Sequence, residues 1–162
     1  MQARIKHFGT HHPEIRERVQ ALGVAVQKAG LPPKLAGLVH LRASQINGCS
    51  VCVDLHARAM KKEGETEERM MAVAAWSDAP YFTAPERAVL ALTEHATRLA
   101  DRSDPVPDAV WDEAARHFDE KTLAAIVMQI GLINMFNRLN VVTRQVAGIQ
   151  AWEKVQAMDK AR

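Results

Sequence analysis

The chain has 162 residues, 48% hydrophobic and 25% charged, and its 21 Lys and Arg against 19 Asp and Glu leave a net charge of +2. Near-balanced charge with no Lys/Arg block does not imply nucleic acid as a partner. No run reaches the ~20 apolar residues of a bilayer span. The charged first thirty residues lack the apolar core of a secretory signal, so a cytoplasmic protein with neither membrane nor nucleic acid as partner is expected.

Helix punctuation recurs from end to end, and strand alternation is nearly absent. Pro13 opens a helix carrying Ile15, Val19, Leu22 and Val26 at helical spacing, and Gly30 stops it. Pro32 and Pro33 start a second, with Leu35, Leu38, Val39 and Leu41, which Asn47 and Gly48 break. A third runs from about Cys49 to Glu63, with Gly64 past its end. Thr66 begins a short helix through Trp76. Thr83, Pro85 and Glu86 form a capping-box pattern that opens a helix through about Ala100. After the loop Ser103 to Pro107, another helix reaches about His117. Asp119 or Glu120 starts the apolar stretch Leu123 to Leu139, interrupted near Asn137 and Arg138, and a last helix from about Val141 enters the charged tail. Residues 1–162 therefore read as a single all-α domain, a helical bundle.

The only cysteines, Cys49 and Cys52, form one C-x-x-C. A disulfide scaffold would spread more of them along the chain, so the pair points to redox chemistry or half of a metal site. With Cys49 at zero on a helical wheel, Cys52 falls at about 300°, Val53 at about 40°, His56 at about 340° and Met60 at about 20°. Both thiols and the imidazole thus share one apolar stripe. At a helix start, unpaired N–H groups and the helix dipole favour a thiolate, which by itself selects Cys49. His56, four residues beyond Cys52, is placed to exchange a proton with it, which selects Cys52. A structural zinc would need a fourth ligand beyond Cys49, Cys52 and His56, and no second C-x-x-C or H-x-x-x-H supplies one.

The stretch Leu41-Arg-Ala-Ser-Gln-Ile-Asn-Gly-Cys-Ser-Val-Cys-Val-Asp-Leu-His56 resembles the core motif of the alkylhydroperoxidase D-like branch of the carboxymuconolactone decarboxylase superfamily. Ala75–Trp76, the segment Ala79 to Glu94, and Ile133-Asn-Met-Phe-Asn-Arg-Leu-Asn140 are similar to later parts of that branch. The resemblance implies an all-helical homo-oligomer, a trimer or hexamer, that reduces organic hydroperoxides without metal or organic cofactor. It implies Cys52 as the attacking thiolate, Cys49 as the resolving thiol, His56 as the proton relay and an external dithiol as the reductant. Two departures stand out. Gly37 occupies the place of a relay Glu, and Val51 that of a His between the cysteines. His40, Glu86 and Glu94 are the candidates to replace the missing relay. The alternatives are an enzyme like the decarboxylases of the superfamily's other branch, or a non-catalytic redox-sensing or metal-binding module.

Overall fold

Proline and capping side chains set the helix starts as expected. The computed structural model describes residues 2–6, 8–100, 102–148, 153 and 157. Along it run α1 (Pro13–Gln27), α2 (Pro33–Ile46), α3 (Ser50–Lys62), α4 (Glu67–Ala72), α5 (Ala84–Thr97), α6 (Asp108–His117) and α7 (Glu120–Thr143), with no strand among the described residues. Pro13 and Pro33 occupy first-turn positions, where the missing N–H would have had no helical partner. The Thr83 N–H donates to Glu86 Oε2 at 2.8 Å in the anticipated capping box, and Asp119 Oδ1 accepts from the Thr122 N–H at 2.8 Å. The helix begun at Thr66 tightens into a 3₁₀ turn over Val73–Ala75 before Trp76.

α2 lies at the centre because it is apolar on two sides. Val39 and Ala43 pack with Val89 and Leu92 of α5 and with Ile126, Ile130 and Ile133 of α7. Leu38 and Leu41 meet Met60 of α3, Val73, Phe82 and Leu90. Each such fully buried aliphatic side chain contributes about 1.5–3 kcal/mol. This double burial fixes α2 against α3, α5 and α7, and so fixes the loop that leads from α2 into the cysteines.

α7 corrects one expectation. It is continuous through Asn137 and Arg138 and ends only at Thr143, where Arg144 takes a left-handed conformation with φ of 52°. α7 is the one helix among the described residues long and apolar enough to cross a membrane, yet its buried residues include Gln129, Asn134 and Asn137. Their side chains bond to other helices, so the polar residues that read as an interruption are inward contacts along an unbroken helix. Val141–Thr143 belong to α7 and residues 144–148 are not helical, so no separate helix starts at Val141; most of the tail beyond falls outside the described residues.

Candidate active site

The cysteines sit where one helix ends and the next begins. Gly48 has a φ of +65°, the left-handed region that favours glycine. Its N–H donates to Gln45 O at 3.2 Å, and the Cys49 N–H donates to Ser44 O at 3.0 Å. This is the Schellman closure of α2. Cys49 is also the N-cap of α3, one position earlier than the first-turn place expected for it. Its Sγ accepts the Cys52 N–H at 3.4 Å. Cys49 and Cys52 are joined as a disulfide, with Cα atoms 5.3 Å apart. Both are buried, at 1% and 2% exposure. The sulfurs are thus held by backbone geometry from both sides.

α7 braces that junction. Asn47 Nδ2 donates to Asn134 Oδ1 and to Asn137 Oδ1, each at 2.9 Å. Asn137 Nδ2 in turn donates to Ser44 Oγ at 3.0 Å, and Asn134 Nδ2 to Thr97 Oγ1 at 3.1 Å. One turn farther along, Asn140 Nδ2 donates to Cys52 Sγ at 3.3 Å. Buried polar groups persist in a core only when partnered, and here the partners are the residues around the C-x-x-C. Sequence reasoning gave Gln129, Asn134, Asn137 and Asn140 no role. The available signal was the recurrence of Asn134, Asn137 and Asn140 at three-residue intervals on an otherwise apolar run.

His56 stacks on His40 of α2, with ring centroids 4.5 Å apart and the planes tilted by 43°. His40 Nε2 is hydrogen bonded to Gln129 Oε1 at 2.9 Å. No hydrogen bond joins His56 to either sulfur among the described residues. Instead the two imidazoles line a pocket of about 360 Å³ with Gly37, Ala59, Met60 and Gln129. The thiols are absent from that lining, so the single cysteine–histidine face read from the helical wheel divides into a buried sulfur pair and a histidine-lined pocket.

Burial, reinforced by neighbouring His40, holds His56 well below the ordinary imidazole value of 6.5. Burial also lowers His40, against the opposing hydrogen bond from Gln129. Both rings are therefore neutral at pH 7. Between the depressed folded value and 6.5, the unfolded chain binds protons that the folded chain does not. Stability therefore declines as pH falls through that window and is restored above it. We expect the melting temperature to drop on acidification below about pH 6.5, and His56→Gln to flatten that decline. An acid limb unchanged in His56→Gln but flattened in His40→Gln would assign it to His40, and one unchanged in both to the carboxylates.

The other relay candidates lie elsewhere. Glu86 accepts from Thr83 and from Arg69 Nη2, the latter at 2.5 Å, so it caps α5 and anchors Arg69. Glu94 accepts from Arg42 Nη2 at 2.6 Å and Trp76 Nε1 at 3.0 Å. Burial alone would raise the Glu94 pKa, but the bonds from Trp76 and Arg42 outweigh it and the carboxyl is held below its usual range. Glu94 lines a different cavity, of about 280 Å³, with Arg42, Trp76 and His95. Of the three, only His40 stands beside His56. At Gly37 a Cβ would come within 2.8 Å of Met60 Cγ, so the space of a longer residue there is filled by Met60.

Comparison with known proteins agrees with this architecture. The model of the carboxymuconolactone decarboxylase family matches residues 13–95, just over half of the chain and including the C-x-x-C and His56. The chain belongs to that family. It is 36% identical over 104 residues to the uncharacterized protein YdfG of Bacillus subtilis, covering 64% of this chain and 69% of that protein. Among solved structures it is similar to a protein of unknown function from Agrobacterium tumefaciens described as a candidate AhpD antioxidant-defence protein. That similarity has 32% identity and a TM-score of 0.86, and spans 91% of this chain and 99% of the other. This places the family member with the alkylhydroperoxidase D-like proteins. The debrominase Bmp8 shares the fold at 17% identity, with a TM-score of 0.79 over 88% of this chain and 76% of its own.

Proposed function

We propose that this family member is a thiol-dependent peroxidase that reduces organic hydroperoxides. The observation that carries the reading is the disulfide-linked pair at the start of α3, one helical turn from a neutral imidazole. In the reduced protein, the Cys52 thiolate attacks the terminal peroxide oxygen. The O–O bond breaks, the alkoxide takes a proton and leaves as an alcohol, and Cys52 becomes a sulfenic acid. His56 relays the proton from the side of the histidine-lined pocket, with no direct bond to sulfur. A neutral ring with a depressed proton affinity accepts it only transiently and passes it on. Cys49 then attacks the sulfenic sulfur, forming the disulfide and releasing water. An external dithiol returns the pair to thiols and is itself oxidised to a disulfide.

The pocket beside His56 does not include the sulfurs in its lining, but its Leu31, Ala36 and Met60 give the approach to the histidines an apolar surface that suits an organic substrate. The reading includes a cytoplasmic homo-oligomer, trimeric or hexameric, working without metal or organic cofactor. Reduced, metal-stripped protein mixed with stoichiometric cumene hydroperoxide tests it through the time course of thiol loss. We expect both thiols to disappear together, much faster than in the unfolded chain. Loss at the unfolded rate would sink the peroxidase reading and leave a decarboxylase-like enzyme or a metal-binding module in its place.

A further inference from the structure

The two sulfurs have different donors. Cys49 Sγ accepts the backbone N–H of Cys52 at 3.4 Å and stands at the N-cap, where the helix dipole favours an anion. Cys52 Sγ accepts the side-chain amide of Asn140 at 3.3 Å, from a different helix. His56 gives Cys52 no such help, since its ring meets His40 and makes no bond to sulfur. The backbone of α3 alone would therefore make Cys49 the more acidic thiol. Something outside α3 has to reverse that order if Cys52 is to attack.

We propose that Asn140 is the group that assigns the attacking role to Cys52, its amide N–H holding the anionic sulfur and outweighing the N-cap advantage of Cys49. The inference rests on the peroxidase reading for its significance and on the α7–α3 contact for its physics. A hydrogen bond to a charged sulfur is among the stronger ones available to a protein. Asn140 is half-buried and is carried by the helix that braces Asn47 through Asn134 and Asn137, so its reach to Cys52 is set by the same contacts that set the cysteine turn. The same donor stabilises Cys52 as the departing thiolate when the disulfide is reduced, which directs an incoming thiol to Cys49.

The test uses two near-isosteric variants. Asn140→Leu removes the donor, and Asn140→Asp replaces it with an anion. Each is placed in full-length Cys49→Ser and Cys52→Ser backgrounds, so that the pH-dependent ultraviolet absorbance of thiolate reports one sulfur at a time. With Asn140 intact, Cys52 should ionise at lower pH than Cys49. Asn140→Leu should cut the Cys52 thiolate population below its midpoint about tenfold and leave Cys49 nearly unchanged, reversing the order. Because a more basic sulfur is also a better nucleophile, alkylation of Cys52 by iodoacetamide should slow only about threefold. Asn140→Asp should exceed Asn140→Leu in both respects. A packing role would move the two variants alike, and equal effects, or an unmoved Cys52 midpoint, would overturn the proposal. A low Cys52 midpoint without peroxide consumption would instead sink the peroxidase reading and leave the role of Asn140 intact.

Discussion

On the peroxidase reading, Cys52→Ser is expected to lower peroxide consumption by about 10³-fold or more, because the remaining sulfur, Cys49, lacks the Asn140 donor that selects Cys52 for attack. Cys49→Ser behaves differently. It is expected to consume one equivalent of hydroperoxide and stop, since a Cys52 sulfenic acid then has no resolving thiol within reach. Serine also preserves the N-cap, so the start of α3 survives the change. Mass analysis after trapping with a sulfenic-acid reagent reads the outcome directly, as a label on Cys52 in Cys49→Ser and none in Cys52→Ser. A label on Cys49 in Cys52→Ser, with a full equivalent of peroxide consumed, would mean that the N-cap sulfur attacks. The roles given to Asn140 and His56 would then fall together.

The largest effect on stability is expected from Asn137→Leu. Asn137 is fully buried, donates to Ser44 Oγ and accepts from Asn47 Nδ2, so a single amide ties α7 to both sides of the α2 terminus. Removing it strands a buried hydroxyl and half-satisfies Asn47, a loss of about 2–4 kcal/mol in urea unfolding. The damage extends to the thiols, because the Schellman turn that places Cys49 begins at Ser44. In equilibrium with dithiothreitol, the variant should hold less of its Cys49–Cys52 disulfide than the parent. Adding Ser44→Ala should recover part of the stability by removing the stranded hydroxyl. A variant as stable as the parent would show that α2 and α7 are held by apolar packing alone.

How much of this was legible in the sequence varies by element. Local signals sufficed for most helix boundaries. Proline in the first turn, the Thr83–Glu86 box and the Asn47–Gly48 break act through the backbone of their own segment, so residues nearby in the chain decide them. The C-x-x-C with His56 at a helix start was legible for the same reason, and so was the family resemblance that the match over residues 13–95 supports. The position of Cys49 was misjudged by one residue because a Schellman closure and an N-cap share it, and either signal alone fits a neighbouring register.

α7 was read as broken because Asn137 and Arg138 disfavour a helix when judged alone. Partners in α2 and α5 reverse that judgement by satisfying the amides of Asn134 and Asn137 in the core. Among His40, Glu86 and Glu94, spacing could not choose. The choice depends on which helix crosses which, and the crossing of α2 and α3 puts His40 against His56 while α5 turns Glu94 toward Arg42. The sequence by itself determined most of the helix starts and the thiol pair at one of them, because these rest on bonds and dipoles within a few residues. The tertiary structure alone decided which imidazole His56 meets, what fills the space at Gly37 and which side chain reaches Cys52. Those are contacts between helices far apart in the chain, and helical periodicity gives the direction of a face but not its partner.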